Sequence, residues 1–302
     1  MVIVVLSGGI GAQVFQFAAG YQLAKKNNCR LLLDTCWFNK KNKFATKPLT
    51  IGDFLELKNH IVIKNIWISR LIRIFFKIVH TLSFGKYNYL RINFVNPLEY
   101  KVIPKFKNLF LNGHMQNIDY FKKNIFDILK KIKVETNKTP SSHSMNENIK
   151  SIAIHVRKGD QKNGPVDFLN NKYYQKGVNE IINRANLSYE NINIVIFCEE
   201  MEWPKNNLFF DKRINKIEYV IGDDDTAIKD LKKMIDCDYI IMSNSGFSWW
   251  AAAYINKIKN GYVICPNLWW NRIPVEKTNI YLKDWIIVET DIAINDELEF
   301  TA

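Results

Sequence analysis

Short apolar runs, separated by polar and glycine-containing breaks, divide the chain into elements of two different periods. "MVIVVL" at 1–6 is a continuous apolar run of strand length, and residues 11–27 follow with Val14, Phe15, Ala18, Tyr21 and Leu23 at helical spacing. "CRLLLD" at 29–34 reads as a second strand, so the chain opens as β-loop-α-β. The stretch "TNKTPSSHSMNEN" at 136–148 has almost no apolar content and one proline, the composition of a linker. Beyond it the alternation restarts, with strands expected at 151–157, 192–198, 217–221, 237–243 and 261–266. Helices fall between them at 172–185, 224–235 and 247–257. The pattern therefore gives two α/β domains, 1–140 and 150–302, the second of them doubly wound.

The strand expected at 151–157 ends in unusual chemistry. Ile152, Ile154 and Val156 share one face, and His155 and Arg157 share the other, just before Lys158, Gly159 and Asp160. The carboxyl end of a strand is where α/β sheets bind ligands. A second strand end, "SNSGFSWWAAAYI" at 243–255, supplies Ser243, Asn244 and Ser245 and then an apolar helix. Capping alone accounts for such residues. A helix start also presents free N–H groups and a positive dipole end, and two such strand ends in one half favour a shared pyrophosphate site. Arginine suits it because its planar fork meets two phosphate oxygens at once.

Near the start, "LSGGIGAQVFQ" places Gly9 and Gly11 between a strand and a helix, with Asp34 ending the next strand. Val14 stands where a dinucleotide-binding loop has its third glycine, and no Gly-Lys-Ser/Thr run makes a Walker loop. What remains is a glycine turn that lets backbone approach a polar or anionic group, or one that only turns.

"NIWISRLIRIFFKIVHTLSF" at 65–84 spaces Arg70, Arg73 and Lys77 three and four residues apart among Ile68, Leu71, Ile72, Phe75, Phe76 and Val79. The segment is a basic amphipathic helix that either lies on an anionic membrane or packs between domains, and packing is the favoured reading. It is too charged to span a bilayer.

Composition adds constraints. A chain of 302 residues with 47% hydrophobic content can bury a large core. The formal net charge of +12 bears on partners and solubility, and lysines spread through every segment make much of it a solvated surface. No nucleic-acid-binding pattern accompanies the charge, so nucleic acid is not an expected partner. Cys29, Cys36, Cys198, Cys237 and Cys265 are odd in number and lack ligand spacing, so they read as buried apolar residues. A first strand without a charged, cleavable leader implies a cytoplasmic protein, held peripherally on the inner membrane face if 65–84 binds lipid.

"GGIGAQVFQFAAGYQLA", "FLNGHMQNIDYF", "IHVRKGD", "IFCEEMEW" and "SNSGFSWWAAAYI" occur in the order found in the α-1,2-fucosyltransferase family, glycosyltransferase family 11, and "CPNLWW" and "KDWIIVE" resemble its tail. This resemblance spans nearly the whole chain. It implies a GT-B-like fold of two Rossmann-like domains facing a cleft, the N-terminal one on the acceptor side and the C-terminal one binding the donor. It also implies inverting transfer of L-fucose from GDP-β-L-fucose to the 2-hydroxyl of a galactoside, free or lipid-linked, in surface-glycan or O-antigen synthesis, without a metal cofactor.

By the same resemblance Arg157 meets the donor β-phosphate, His155 lies near guanine or phosphate, and Asp160 holds the loop. Asn244, Ser245 and Ser248 fall in the phosphate-binding loop, Glu199 and Glu200 sit where an acid accepts from guanine, and Gly9, Gly11 and Gln13 belong to the N-terminal ligand loop. Three features depart from the family. Lys158 replaces a second arginine, Ala12 an asparagine, and "GHMQ" at 113–116 a more aromatic pattern. The acids at 223–225 could suggest a metal cluster, but helix capping before "TAIKDLKKMI" is the preferred reading. His114, Asp34 and Asp119 stay open as candidates for a general base.

Overall fold

A computed structural model describes residues 1–39, 42–57, 60–82, 89–91, 100–102, 108–134, 148–157, 169–223, 225–269 and 273–291. The chain divides into two units, Met1–Lys133 and Val134–Ala302. The linker expected at 136–148 falls just past this division, and only its last residue is among those described.

Unit 1 runs β1 (Val2–Val5), α1 (Ile10–Lys26), β2 (Leu31–Asp34), α2 (Ile51–Phe54), β3 (Ile61–Ile63), α3 (Ile66–Leu82), β4 (Tyr89–Arg91), β5 (Leu109–Asn112) and α4 (Ile125–Leu129). Among the described residues its sheet has the order β3-β2-β1-β5-β4, with every pair parallel. The β1–α1–β2 opening matches the sequence reading. The three-residue strands β3 and β4, and β5 inside "LFLNGHMQ", are too short to carry a period of their own and were not foreseen. Helix α1 is buried nearly all round, because Gly20 lets it press onto the sheet. A Cβ at Gly20 would stand 2.8 Å from Leu31 Cδ1. On the other face of β1, Ile3 and Val5 pack with Phe110 and with Phe76 of α3.

Unit 2 runs β6 (Lys150–Val156), α5 (Asn171–Ala185), β7 (Ile192–Cys198), α6 (Glu202–Asn207), β8 (Lys216–Ile221), α7 (Ala227–Asp236), β9 (Tyr239–Ile241), α8 (Gly246–Lys259), β10 (Val263–Pro266) and β11 (Ile286–Val288). Its parallel sheet, read from β8 to β11, has the order β8-β7-β6-β9-β10-β11. Winding begins at β6, goes outward through β7 and β8, then returns to lay β9 on the other flank. The reversal lies between β6 and β9, the position at which doubly wound sheets place their ligands.

The alternation along β6 holds. Ile152, Ile154 and Val156 join Tyr173, Tyr174, Val178, Ile181 and Ile182 of α5 in one core, while His155 lies on the opposite face against α8. Each fully buried isoleucine of that face contributes about 1.5–3 kcal/mol, so a one-residue slip that exchanged the faces would cost several such terms. All five cysteines are free thiols and four are buried, as expected.

Candidate active site

His155 is the last polar residue of β6, and it points at the start of α8. Its Nδ1 lies 2.7 Å from Ser243 Oγ and 2.9 Å from Ser248 Oγ, each hydroxyl able to give or take the proton according to the tautomer. Burial, reinforced by the positive charge of Arg157, lowers the imidazole pKa to about 3, so His155 is neutral at physiological pH. The Phe247 ring covers it at 5.4 Å. From the α5 side, Tyr174 donates to the His155 carbonyl at 3.1 Å and Tyr173 to the Met242 carbonyl at 2.6 Å, fixing the ends of both strands at the reversal point.

Arg157 follows the last residue of β6 and donates from Nη1 to Ser245 Oγ at 3.0 Å. Ser245 is the N-cap of α8, its hydroxyl also accepting from Phe247 N at 3.3 Å. A guanidinium and the N-terminus of a fourteen-residue helix thus converge on one loop, at the reversal point of the sheet. That combination suits an anionic group, because the cation, the dipole and the N–H groups of a first helical turn all favour negative charge.

The serine hydroxyls of this loop are engaged within it. Ser248 is fully buried and turns its hydroxyl toward His155 and the carbonyls of Ser243 and Ser245, and Ser245 is spent on Arg157 and its own helix. They shape the loop, which offers a ligand backbone N–H and guanidinium rather than serine hydroxyls. Ser243, read from sequence only as a cap, is an equal partner of His155; its place at the end of β9 was the available signal. Asn244 lies buried in the same loop. Glu199 and Glu200 are exposed just past β7, and since Val156 pairs with Cys198, Glu199 comes level with Arg157 on the neighbouring strand. Asp160 and Lys158 lie outside the described residues.

Asp223 caps the turn that leads into α7. Asp223 Oδ1 accepts from Asp225 N at 2.9 Å and Thr226 N at 3.0 Å, and these bonds hold its carboxyl below the usual range. Asp224 lies outside the described residues, among which no group of three or more His, Cys, Asp or Glu could hold a metal.

Unit 1 has its own reversal point, between β1 and β5. A cavity of about 660 Å³ opens there, lined by Ser7, Gly8, Trp37, Asn112, Gly113 and His114 with Ser69, Arg70 and Arg73 of α3. Its volume suits a sugar or small oligosaccharide. The loop after β1 departs from the sequence reading. Gly8, at φ 72°, is the turn glycine, whereas Gly9 is extended at φ −73° and Gly11 is buried within α1. Gln13 is fully buried. Its amide donates to Gly8 O (2.9 Å) and Pro48 O (2.8 Å), and its carbonyl accepts from Thr50 N and Ile51 N, both at 3.1 Å. With all four valences taken by backbone, Gln13 braces the loop instead of contacting a ligand. A Cβ at Gly9 would meet nothing within 4 Å, whereas one at Gly8 would stand 3.4 Å from Ala12 Cβ.

The three candidates for a general base separate here. Asp34 is buried, accepting from Ser69 Oγ at 2.6 Å and Cys36 N at 3.0 Å with Arg73 at 3.9 Å, so it ties α3 to β2. Asp119 pairs with Lys122 and is not part of the cavity wall. His114 lines the cavity, and burial lowers its pKa, which favours the neutral ring. It sits between Gly113 at φ 142° and Met115 at φ 52°, a left-handed conformation unusual for methionine, on a turn that holds the imidazole at the cavity wall.

Two doubly wound parallel α/β units, one with an anion site at its reversal point and one with a sugar-sized cavity, make this a GT-B-like protein. The model of the glycosyl transferase family 11 matches residues 1–289, and the chain belongs to that family. It is 25% identical over 307 residues to an alpha-1,2-colitosyltransferase of Escherichia coli, covering 96% of this chain and 99% of that protein. It is 26% identical over 315 residues to the O-antigen biosynthesis glycosyltransferase WbnK of Escherichia coli, covering 93% and 98%. Among solved structures it resembles the NodZ alpha-1,6-fucosyltransferase soaked with GDP-fucose, with a TM-score of 0.48 and 13% identity over 84% of this chain and 92% of that one.

Proposed function

We propose that this glycosyltransferase moves L-fucose from GDP-β-L-fucose to the 2-hydroxyl of a galactoside, with inversion, in the assembly of an O-antigen or similar surface glycan. The observation that carries the proposal is the Arg157–Ser245 contact at the reversal point of unit 2. As the bond between sugar and diphosphate breaks, negative charge grows on the leaving oxygen. Arg157 and the α8 N-terminus are fixed beforehand to stabilise it. His155 and Ser248 position that helix start, and Glu199 or Glu200 is the acid for guanine. Asp160 is assigned to holding the same loop.

The acceptor is assigned to the unit 1 cavity, where the neutral His114 can take the proton of the attacking hydroxyl. No metal is required in this scheme, since guanidinium and helix dipole meet the diphosphate charge. The scheme accommodates a galactoside offered free or on a lipid carrier.

A second reading, transfer of a colitosyl group, is favoured by similarity to the colitosyltransferase across 96% of this chain. One experiment separates the two: GDP-fucose and its colitosyl counterpart are each offered with an array of galactosides. Fucosylation at the 2-hydroxyl supports the proposal, turnover of the colitosyl donor alone supports the second reading, and turnover of neither donor contradicts both.

A further inference from the structure

Helix α3 has two apolar faces. At about 100° per residue, Ser69, Ile72 and Phe76 fall on one stripe, and Phe76 and Ile72 on that stripe enter the unit 1 core. Roughly 150° around the helix lies a second face, made of Trp67, Leu71, Ile74, Phe75, Ile78 and Leu82, each of them more than half exposed. A contiguous apolar surface of this kind marks an interaction site.

The charge around it selects the partner. From His60 to Leu82 the sequence contains no acid, while Arg70 and Lys77 lie along one edge of the second face and Arg70 stacks over Trp67 at 5.3 Å. Two copies of this chain meeting on this face would set their basic edges against a surface with no compensating acid. Anionic head groups would neutralise the same edge while their acyl boundary takes the apolar side chains.

We propose that α3 docks unit 1 on an anionic lipid bilayer, with Trp67, Leu71, Ile74 and Ile78 entering the head-group boundary and Arg70 and Lys77 on lipid phosphates. Because Ile66 and Ser69 of this helix line the unit 1 cavity, docking holds that cavity about one helix diameter, ~10 Å, from the head groups. A glycan carried on lipid would be within reach there. The docking itself stands apart from the choice of donor or acceptor, since it is read by vesicle binding without turnover.

The test sediments wild type, the Ile74→Ser/Ile78→Ser double variant and Lys77→Gln with phosphatidylglycerol or phosphatidylcholine vesicles at low and high salt. Wild type is expected to bind phosphatidylglycerol, more weakly as salt rises. The double variant should bind at least about tenfold less, and Lys77→Gln about fivefold less. Both variants should keep wild-type circular dichroism and wild-type transfer to a soluble acceptor. Wild type left in solution with phosphatidylglycerol, or a double variant that binds as wild type does, would overturn the proposal. A dimer broken by the double variant, with vesicles ignored, would reassign the face to contact between copies.

Discussion

Arg157 reaches Ser245 across 88 residues of sequence, its Nη1 donating to the hydroxyl at 3.0 Å. The bond joins the end of β6 to the N-cap of α8 and so fixes the one cation of this strand end, among the described residues, against a helix N-terminus. A bidentate fork held this way differs from a point charge. Arg157→Ala should lower turnover on the order of a hundred- to a thousandfold, and Arg157→Lys should recover little of it. Full turnover in a folded Arg157→Lys would mean that only charge matters at this position.

Gln13 yields a stability prediction. Removing a side chain that satisfies four backbone groups leaves some of them unpaired, so Gln13→Ala should cost roughly 2–4 kcal/mol in urea unfolding. An unchanged midpoint would show that water replaces the amide at no cost.

His155 makes the fold acid-sensitive. Its pKa is about 3 in the folded chain and 6.5 in the unfolded one, so between these values the unfolded state binds the extra proton. Its stabilising contribution is complete above pH 6.5 and is lost as pH falls toward 3. His60 and His114, lowered by burial, act with the same sign. Between pH 7 and 5, His155→Gln should lose about 2 kcal/mol less stability than wild type, and equal losses would contradict the assigned burial.

In the proposed scheme the diphosphate is met by Arg157 and a helix terminus, and of the acids at 223 and 225 Asp223 caps a turn. Transfer should therefore continue in excess EDTA at nearly the full rate. A loss restored by Mg2+ would return those acids to consideration as ligands.

What the sequence disclosed and what it hid follow from the range of the interactions. The faces of β6, the helices α5, α7 and α8 to within three residues and the meeting of His155 and Arg157 with the 243–248 loop were legible, because period and capping are local and the strand ends of a doubly wound sheet converge. The six-residue α6 is too short to show a period and was missed. Gln13 was misread because its partners at Pro48, Thr50 and Ile51 lie some 35 to 38 residues away. Gly9 was preferred to Gly8 because a glycine run does not reveal which member takes positive φ. The amphipathic pattern of 65–84 was recognised, but not that one apolar stripe enters the core while a second stays exposed, since both stripes look alike in a linear pattern.

Calorimetric titration of GDP into wild type and Arg157→Ala measures the proposed anion site of unit 2 directly. Wild type should bind GDP without added metal. Loss of a charge-assisted contact worth about 1.5–3 kcal/mol should weaken binding roughly ten- to a hundredfold in the variant. Equal GDP affinity in wild type and a correctly folded Arg157→Ala would contradict the placement of the diphosphate at the ends of β6 and β9.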